Sequence, residues 1–475
     1  MLYKYCFLCY FIYMKSAPGE VAVIGTGITG LVAGYALHAV SPETEITFID
    51  AGPEPFSEAA LDHRGATLGQ SRDARQFTGT EGLSFQNPVH TRLIGEQASP
   101  KGPGWQTIPE EELTEREQAW RAELVSRYHA DISTDHNPYD AMYTTLNYGG
   151  MAAWQLLTSL NPALAQYRTY DRGTFVTFAS QAELEADFDT ETAANPQQSE
   201  FPVRTAELSE LHAKPETALA GVTEQALLVP GQAWRIRSVW HQLYGELVRS
   251  PSIHFEWDQP VTEHAALPDA DSYVWAAGSG YSLPEFYEQN SRVQGIGGWW
   301  LTLPNPGFKV PFKFSAPQPT GYMNFTPVRE ALHISGGFGW IGERSHDEAV
   351  GLLEPAKQQF LGHVGDLLGK SRAELADYDL GCCIRPTTPT GLPDIGEVVL
   401  GGKRHIMLSG AGKAGATQAS ILGLHAAAEI AGHDKTDMLI NRHGQGTGKT
   451  LVQRALAQAR AGLEKPIDDI SVKTC

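Results

Sequence analysis

The segment Gly25-Thr26-Gly27-Ile28-Thr29-Gly30 follows the apolar run EVAVIG and opens a small-residue stretch, TGITGLVAGYALHAV. A second apolar run, EITFID, ends at Asp50. Glycines in this spacing between a strand and a helix have separate tasks. The first permits a tight turn, the second lets the backbone approach a pyrophosphate, and the third lets the helix lie close on the sheet. The helix N-terminus then faces phosphate charge. An acid at the end of the second strand accepts hydrogen bonds from ribose hydroxyls. The pattern predicts a βαβ unit of a Rossmann-type α/β fold. Gly25 through Gly30, Asp50 and the adjoining Ala51 are its expected nucleotide contacts. The competing reading is a glycine turn with no ligand.

The chain has 475 residues, more than one hydrophobic core usually serves, so two large domains are expected. Its formal charge of -19 repels a phosphate backbone, which argues against a nucleic-acid partner. The cysteines are Cys6, Cys9, Cys382, Cys383 and Cys475. They form no paired CxxC array, so no metal site is expected, and a reducing compartment, the cytoplasm, fits. The opening fourteen residues, MLYKYCFLCYFIYM, are too short to span a bilayer and precede no clean cleavage site. They read as an over-called start or a disordered extension over 1–14. A membrane-touching terminus and a cleaved presequence are the alternatives.

Periodicity assigns the rest coarsely. Residues 57–98 look like loops wrapping a ligand, 110–130 a charged peripheral helix, and 203–218 a helix after Pro202. IRSVWHQLYGELVRS is an amphipathic helix followed by the strands IHFEWD and YVWAAG. From about 295 to 345 the chain turns strand-rich and aromatic, as in an antiparallel sheet. The nucleotide-type patterns recur early, centrally and late, so the domains are discontinuous. The expected division gives 18–98, 225–290 and 372–432 to a Rossmann-type domain. It gives 99–224 and 291–371 to a substrate domain with a mixed or antiparallel sheet. A helical tail, 433–475, follows.

Five segments together resemble the D-amino-acid oxidase/dehydrogenase superfamily of flavoproteins. They are GATLGQSRDARQFTGTEGLSF from Gly65, VPGQAWRIRSVWHQLYGELVRSPSIHFEWDQPVTE from Val229, SYVWAAGSGYS from Ser272, CCIRPTTPTGLPDIG from Cys382 and HIMLSGAGKAGATQASILG from His405. The resemblance covers about residues 20 to 432. It is most specific in the amino-terminal glycine motif and in Arg385–Gly396. It implies FAD as the cofactor. It also implies that Ala66, Thr67 and Gly69 lie along the flavin, Val261 by the adenine, and Ala276-Ala277-Gly278 in the turn after a central strand. Gly410, Gly412, Lys413, Ala414 and Gly415 would form a closing loop whose N–H groups face the flavin pyrimidine. The chain departs from the family in carrying no histidine in that loop. The QSRDARQ segment is also unusually charged.

Arg385 has the planar fork that clamps a carboxylate, with a structural arginine as the alternative. Arg72 and Arg75 compete for that role, or pair with Asp73. Tyr322 and Trp340, from the aromatic group Trp299, Trp300, Tyr322, Phe325, Phe338 and Trp340, are the expected walls of a cavity at the domain interface. Lys413 reads as a surface lysine, with an inward role as the alternative. The sarcosine-oxidase branch of the superfamily carries a cysteine–flavin thioether, and Cys383 falls at the matching interval before Thr388-Pro389. An ordinary buried cysteine is the competing reading.

The implied reaction is oxidation of an amine or amino acid to the imine by hydride transfer to flavin N5, with oxygen or another acceptor regenerating the flavin. The rivals are a flavin oxidoreductase of N-methylated amines, imino acids or hydroxy acids, and a non-catalytic nucleotide-binding protein. GQGTGKT at 444–450 is not a P-loop: position 443 is His where the motif needs Gly, and no strand precedes it.

Overall fold

A computed structural model describes residues 19–54, 74–79, 108–131, 138–212, 219–263, 266–278, 293–315 and 322–464. The opening fourteen residues lie outside that set. In chain order the first elements are β1 (Glu20–Ile24), α1 (Ile28–Val40), β2 (Glu45–Ile49), β3 (Ala74–Thr78), α2 (Glu115–Asp131), α3 (Pro138–Leu160), β4 (Arg168–Tyr170) and β5 (Thr174–Thr177). Next come α4 (Gln181–Ala194), β6 (Arg204–Glu207), β7 (Gln225–Val229), β8 (Gly231–Arg235), α5 (Ile236–Leu247), β9 (Ile253–Glu256) and β10 (Ser272–Trp275). The sheet-rich stretch holds β11 (Gln294–Pro304), β12 (Phe312–Ser315), β13 (Tyr322–Val328) and β14 (Ala331–Gly342). The chain continues with α6 (His346–Leu352), α7 (Glu354–Leu368), α8 (Arg372–Ala376), β15 (Asp379–Thr387), β16 (Asp394–Leu400), β17 (Lys403–Ser409), α9 (Gly415–Ala431), α10 (His433–His443) and α11 (Gly446–Glu464).

The first sheet has the order β16-β17-β10-β1-β2-β9, parallel except for β16. Its central strands are near-continuous apolar runs because helices and loops cover both faces. Helices α1 and α9 pack against each other: a Cβ on Gly423 would stand 2.7 Å from Val32 Cγ1 and 2.8 Å from Ala33 N. Since β1, β10 and β17 run parallel, their carboxyl ends share one edge. The segments leaving that edge are Gly25–Gly27, Ala276–Gly278 and Gly410–Gly415, and open α/β sheets bind ligands there.

The second sheet has the order β15-β11-β14-β13-β12-β5-β7-β6 and is antiparallel except for the β12–β5 pair. On its outer face Trp299, Leu301, Leu303 and Ile334 pack under Phe360, Leu361 and Val364 of α7. A small third sheet has the order β3-β8-β4. Gln76 on β3 donates to Phe312 O at 3.0 Å and Phe325 O at 2.8 Å, tying β3 to the second sheet.

Four expectations need correction. β15, assigned by sequence to the Rossmann-type part, is the edge strand of the second sheet, because its nine extended residues pair along β11. α3, assigned to the substrate part, packs with α9 and α11, since Gly149 and Gly150 remove the side chains that would hold those helices off. Over 203–212 the expected helix of 203–218 is instead β6, paired with β7, and a short turn over Leu208–Leu211; residues 213–218 lie outside the described residues. α2 is not merely peripheral: Trp120 stacks on Trp340, centroids 5.4 Å apart.

Candidate active site

At the carboxyl edge of the first sheet Gly25 has φ +96°, and a Cβ there would stand 2.6 Å from Ala276 O. A Cβ on Gly30 would strike Gly25 O. Gly27 differs, because the nearest atom to a Cβ there is Ala276 O at 4.0 Å. Packing within the chain therefore does not demand glycine at 27. α1 starts at Ile28 with no side-chain cap and no acid in its first turn, and Thr29 is half-buried there. Its first N–H groups are left to an outside acceptor, and the helix dipole favours an anion.

Asp50 is half-buried beside this turn. Its Oδ2 accepts from Thr26 N at 2.7 Å and Thr26 Oγ1 at 2.6 Å, and its Oδ1 accepts from Gly52 N at 2.8 Å. Trp240 Nε1 donates to Thr26 O at 2.6 Å from the other side. Gln259 N donates to Asp50 O at 2.9 Å, so the loop leading to Val261 runs against Asp50–Gly52, with Ala51 exposed between them. Val261 is half-buried against the cluster holding Ile49 and Trp275. The turn Ala276-Ala277-Gly278 is joined to β17 by Ser409 Oγ, which donates to Gly278 O at 2.5 Å. α9 also lacks a side-chain cap and an acid in its first turn, and Gly410 to Gly415 lead into it.

Across from this edge, alternation on the second sheet puts Arg385 and Cys383 of β15 on the same face as Ile296 and Gly298 of β11. The Arg385 guanidinium lies 4.6 Å from the centre of the Phe338 ring, and Lys413 Nζ lies 4.4 Å from the same centre. Gly298 makes room: a Cβ there would strike Arg385 Nη1. Arg385 Nη1 is buried and finds no hydrogen-bond acceptor. Cys383 Sγ sits 3.6 Å from Gly298 O. Cys382 faces the other side, and burial pushes its thiol up to about 11.

Further along this face, Arg75 Nη1 donates to His333 Nε2 at 3.2 Å. Arginine only donates, so His333 carries its proton on Nδ1, 3.3 Å from Thr302 Oγ1. Burial, then the Arg75 charge, holds His333 well below the ordinary histidine range. Lys313, almost fully buried, donates to Thr78 Oγ1 at 2.7 Å.

The structure thus gathers Arg385 and Lys413 with Phe338. Lys413, expected at the surface, turns inward over that ring because the closing loop faces the second sheet. Trp340 is corrected: it is fully buried on Trp120, and its Nε1 donates to Gln294 Oε1 at 3.0 Å, so it is core and not a cavity wall. Tyr322 opens β13 opposite Ser315, and its side chain lies outside the described residues. So do Arg72, Ala66, Thr67 and Gly69. Sequence reasoning missed the roles of Phe338, Gln76 and His333. The alternation in ALHISGGFGW carried a signal for Phe338, but a local bulge between Gly297 and Trp299 obscures which face it takes.

Residues 20–429 match the family described as DAO, FAD dependent oxidoreductase. The chain belongs to this family of FAD-dependent oxidoreductases. Glycine oxidase from Bacillus cereus ATCC 14579 is similar in structure, with TM-score 0.51 at 12% identity over 88% of this chain and 97% of that one. So are L-amino acid deaminase from Proteus myxofaciens (0.51, 12%, 88% and 91%) and iminodiacetate oxidase from Chelativorans sp. BNC1 (0.50, 14%, 86% and 94%). At these identities the likeness is one of fold. No curated protein sequence matches the chain. The uncapped start of α1, the open space at Gly27 and the Asp50 carboxylate fit the FAD of the family. Among the described residues no helix is long and apolar enough to cross a membrane, and no three His, Cys, Asp or Glu side chains gather as metal ligands.

Proposed function

We propose that the protein oxidises an amino acid, or an amine bearing a carboxylate, to the imine, with Arg385 holding the carboxylate. The observation that carries this reading is the buried Arg385 Nη1 without an acceptor, on a ring it shares with Lys413. An unanswered buried guanidinium N–H is costly, so the acceptor is assigned to the substrate. The fold is also that of enzymes named for glycine, iminodiacetate and L-amino acids.

Bound FAD supplies the hydride acceptor. Arg385 and Lys413 fix the carboxylate end and so orient the carbon next to the amine. Phe338 gives that end a flat apolar floor and keeps water from the guanidinium. The amine binds as the free base, its proton left to solvent, so the site needs no dedicated base. Asp50 and the start of α1 hold the adenosine and pyrophosphate ends, and the closing loop at Gly410–Gly415 faces the flavin. The proposed setting is the cytoplasm, with oxygen or another soluble acceptor taking the electrons.

The test is anaerobic mixing of the purified holoenzyme with D- and L-amino acids, N-methylglycine, simple amines and hydroxy acids, following loss of the visible flavin band. Amines with a carboxylate are expected to bleach it fastest. Bleaching by hydroxy acids alone, or a purified protein that carries no flavin, would overturn the reading.

A further inference from the structure

Two threonines stand at the end of β15, and they divide their work. Thr388 closes the turn that follows: its Oγ1 donates to Leu392 O at 2.6 Å. Its methyl would stand 2.5 Å from a Cβ on Gly410, so it seats the start of the closing loop. Thr387 is 2% exposed, and its hydroxyl serves a different end. Thr387 Oγ1 donates to Arg385 O at 3.1 Å. The same oxygen also faces the closing loop: it is the atom nearest to where a Cβ on Gly412 would stand, 3.2 Å away. Gly412 has φ +55° and opens the short turn Gly412–Ala414 that carries Lys413.

Backbone pairing places Thr387 at this junction. It pairs with Gln294 of β11 and forms an antiparallel bridge with Ala411 of the closing loop. It follows Arg385 by two residues on an extended strand, so the two side chains share a face. The Arg385 guanidinium and the Lys413 ammonium meet over Phe338, 4.6 Å and 4.4 Å from its ring centre. Each comes from its own segment of chain, and one buried hydroxyl touches both segments.

We propose that Thr387 is a positioning residue for the carboxylate site: its hydroxyl sets the Lys413 turn against Arg385 and so fixes the spacing of the two cations. This rests on the reading of Arg385 and Lys413 as the groups that hold the carboxylate. Two cations serve one carboxylate well only when both stand at bonding distance together. A valine at 387 keeps the branched shape but has no proton to give Arg385 O. Its methyl is also wider than the oxygen it replaces and presses on the Gly412 turn. A serine keeps the oxygen and loses only the methyl.

The test compares the holoenzyme of the parent, Thr387→Val and Thr387→Ser. KM and kcat are measured for a carboxylate-bearing amine. The dissociation constant of propionate, a carboxylate with no amine to oxidise, is measured by calorimetric titration. In Thr387→Val both KM and the propionate constant are expected to rise about fivefold or more, the size of one lost hydrogen bond, while kcat changes by less than about twofold. Thr387→Ser is expected to stay within about twofold of the parent in all three. Thr387→Ala removes the same hydroxyl without adding bulk and carries the same expectation as the valine, so it decides the matter if the valine variant does not fold. A threonine that serves the fold alone would lower the melting temperature of the variants and leave KM and the propionate constant unchanged, which overturns the proposal. Equal rises in the serine and valine variants, or a parent that binds no propionate, overturn it as well. Failure of the amine-oxidation reading would appear separately, as a parent that no amine bleaches, and the propionate constants would then still decide the part played by Thr387.

Discussion

Asp50 and Thr26 are joined twice, through the backbone N–H of Thr26 at 2.7 Å and its hydroxyl at 2.6 Å, both donating to one carboxylate oxygen. The acid expected to accept from the adenosine ribose therefore also holds the glycine turn in shape. A carboxylate has lone pairs enough for both. Replacing Asp50 by Ala removes charge-assisted hydrogen bonds worth about 1.5–3 kcal/mol, so FAD affinity is expected to fall about 10- to 100-fold. The flavin-to-protein ratio after dialysis measures it. KM for substrate in the fraction that keeps FAD is expected to stay near the parent value. Equal flavin content in both proteins would remove Asp50 from the cofactor site.

Gly27 and Gly30 should fail differently. A Cβ at Gly30 strikes the carbonyl of Gly25, while one at Gly27 meets nothing closer than 4.0 Å. Gly30→Ala is expected to lower the melting temperature with or without added FAD. Gly27→Ala is expected to leave the FAD-free melting temperature within about 2 °C and to abolish the rise that FAD produces by binding the native state. The same loss of stability in both variants would show that Gly27 serves the fold and not the ligand.

The first sheet was legible because its evidence is local. Strand, turn, helix, strand and acid follow one another within residues 20–50, and each glycine has a task that neighbours in sequence define. The second half of the site depends on partners far apart in the chain. Arg385 was legible as a candidate from its motif. That it meets Lys413 over Phe338 follows from β15 joining β11 and from the closing loop facing that sheet, which no local pattern encodes. Trp340 misled because period-2 alternation gives the face of a strand but not what covers it. α2, which reads as a charged surface helix, supplies Trp120 and turns that end of the face into core.

Arg385→Lys keeps the charge and loses the planar fork. If Arg385 clamps the carboxylate, KM for a carboxylate-bearing amine is expected to rise at least tenfold, as the loss of one charge-assisted bond of about 1.5 kcal/mol implies. For a simple amine the change is expected to be under about twofold. The comparison is a KM ratio in one preparation, so altered folding or flavin content cancels. A similar change in both substrates would assign Arg385 a structural part only.

Within the segment beyond residue 432, α11 approaches α3 closely at Gly149. A Cβ on Gly149 of α3 would overlap Ala455 Cβ of α11. Glycine to alanine inside a helix ordinarily gains about 1 kcal/mol. Here overpacking, typically costing about 1–3 kcal/mol, is expected to win and make Gly149→Ala destabilising. Ala455→Gly removes the clashing methyl. In urea unfolding, Gly149→Ala/Ala455→Gly is expected to be more stable than the two single effects predict by about 1 kcal/mol or more. Simple additivity would mean that the helices separate to absorb the methyl.

His425 on α9 should tie stability to pH. It is almost fully buried, and its pKa is lowered to about 4, first by burial and then by the charges of His433 and Arg460, with Glu397 opposing. Glu429 lies 3.9 Å from its Nδ1, but that carboxylate also serves His433 at 3.1 Å and Arg404 at 3.7 Å. The folded-state value lies below the ordinary value of 6.5. Between about pH 6.5 and pH 4 the unfolded chain therefore takes up a proton that the folded chain refuses. Stability from this residue is complete above that window, falls as the pH drops through it, and levels off below. The loss sums to about 3 kcal/mol at about 1.4 kcal/mol per pH unit. His425→Gln cannot titrate, so its stability between pH 7 and pH 4, measured by urea unfolding with saturating FAD, is expected to fall less than that of the parent by about this amount. Parallel curves for parent and variant would mean that His425 accepts its proton inside the folded protein, with Glu429 rather than burial setting its charge.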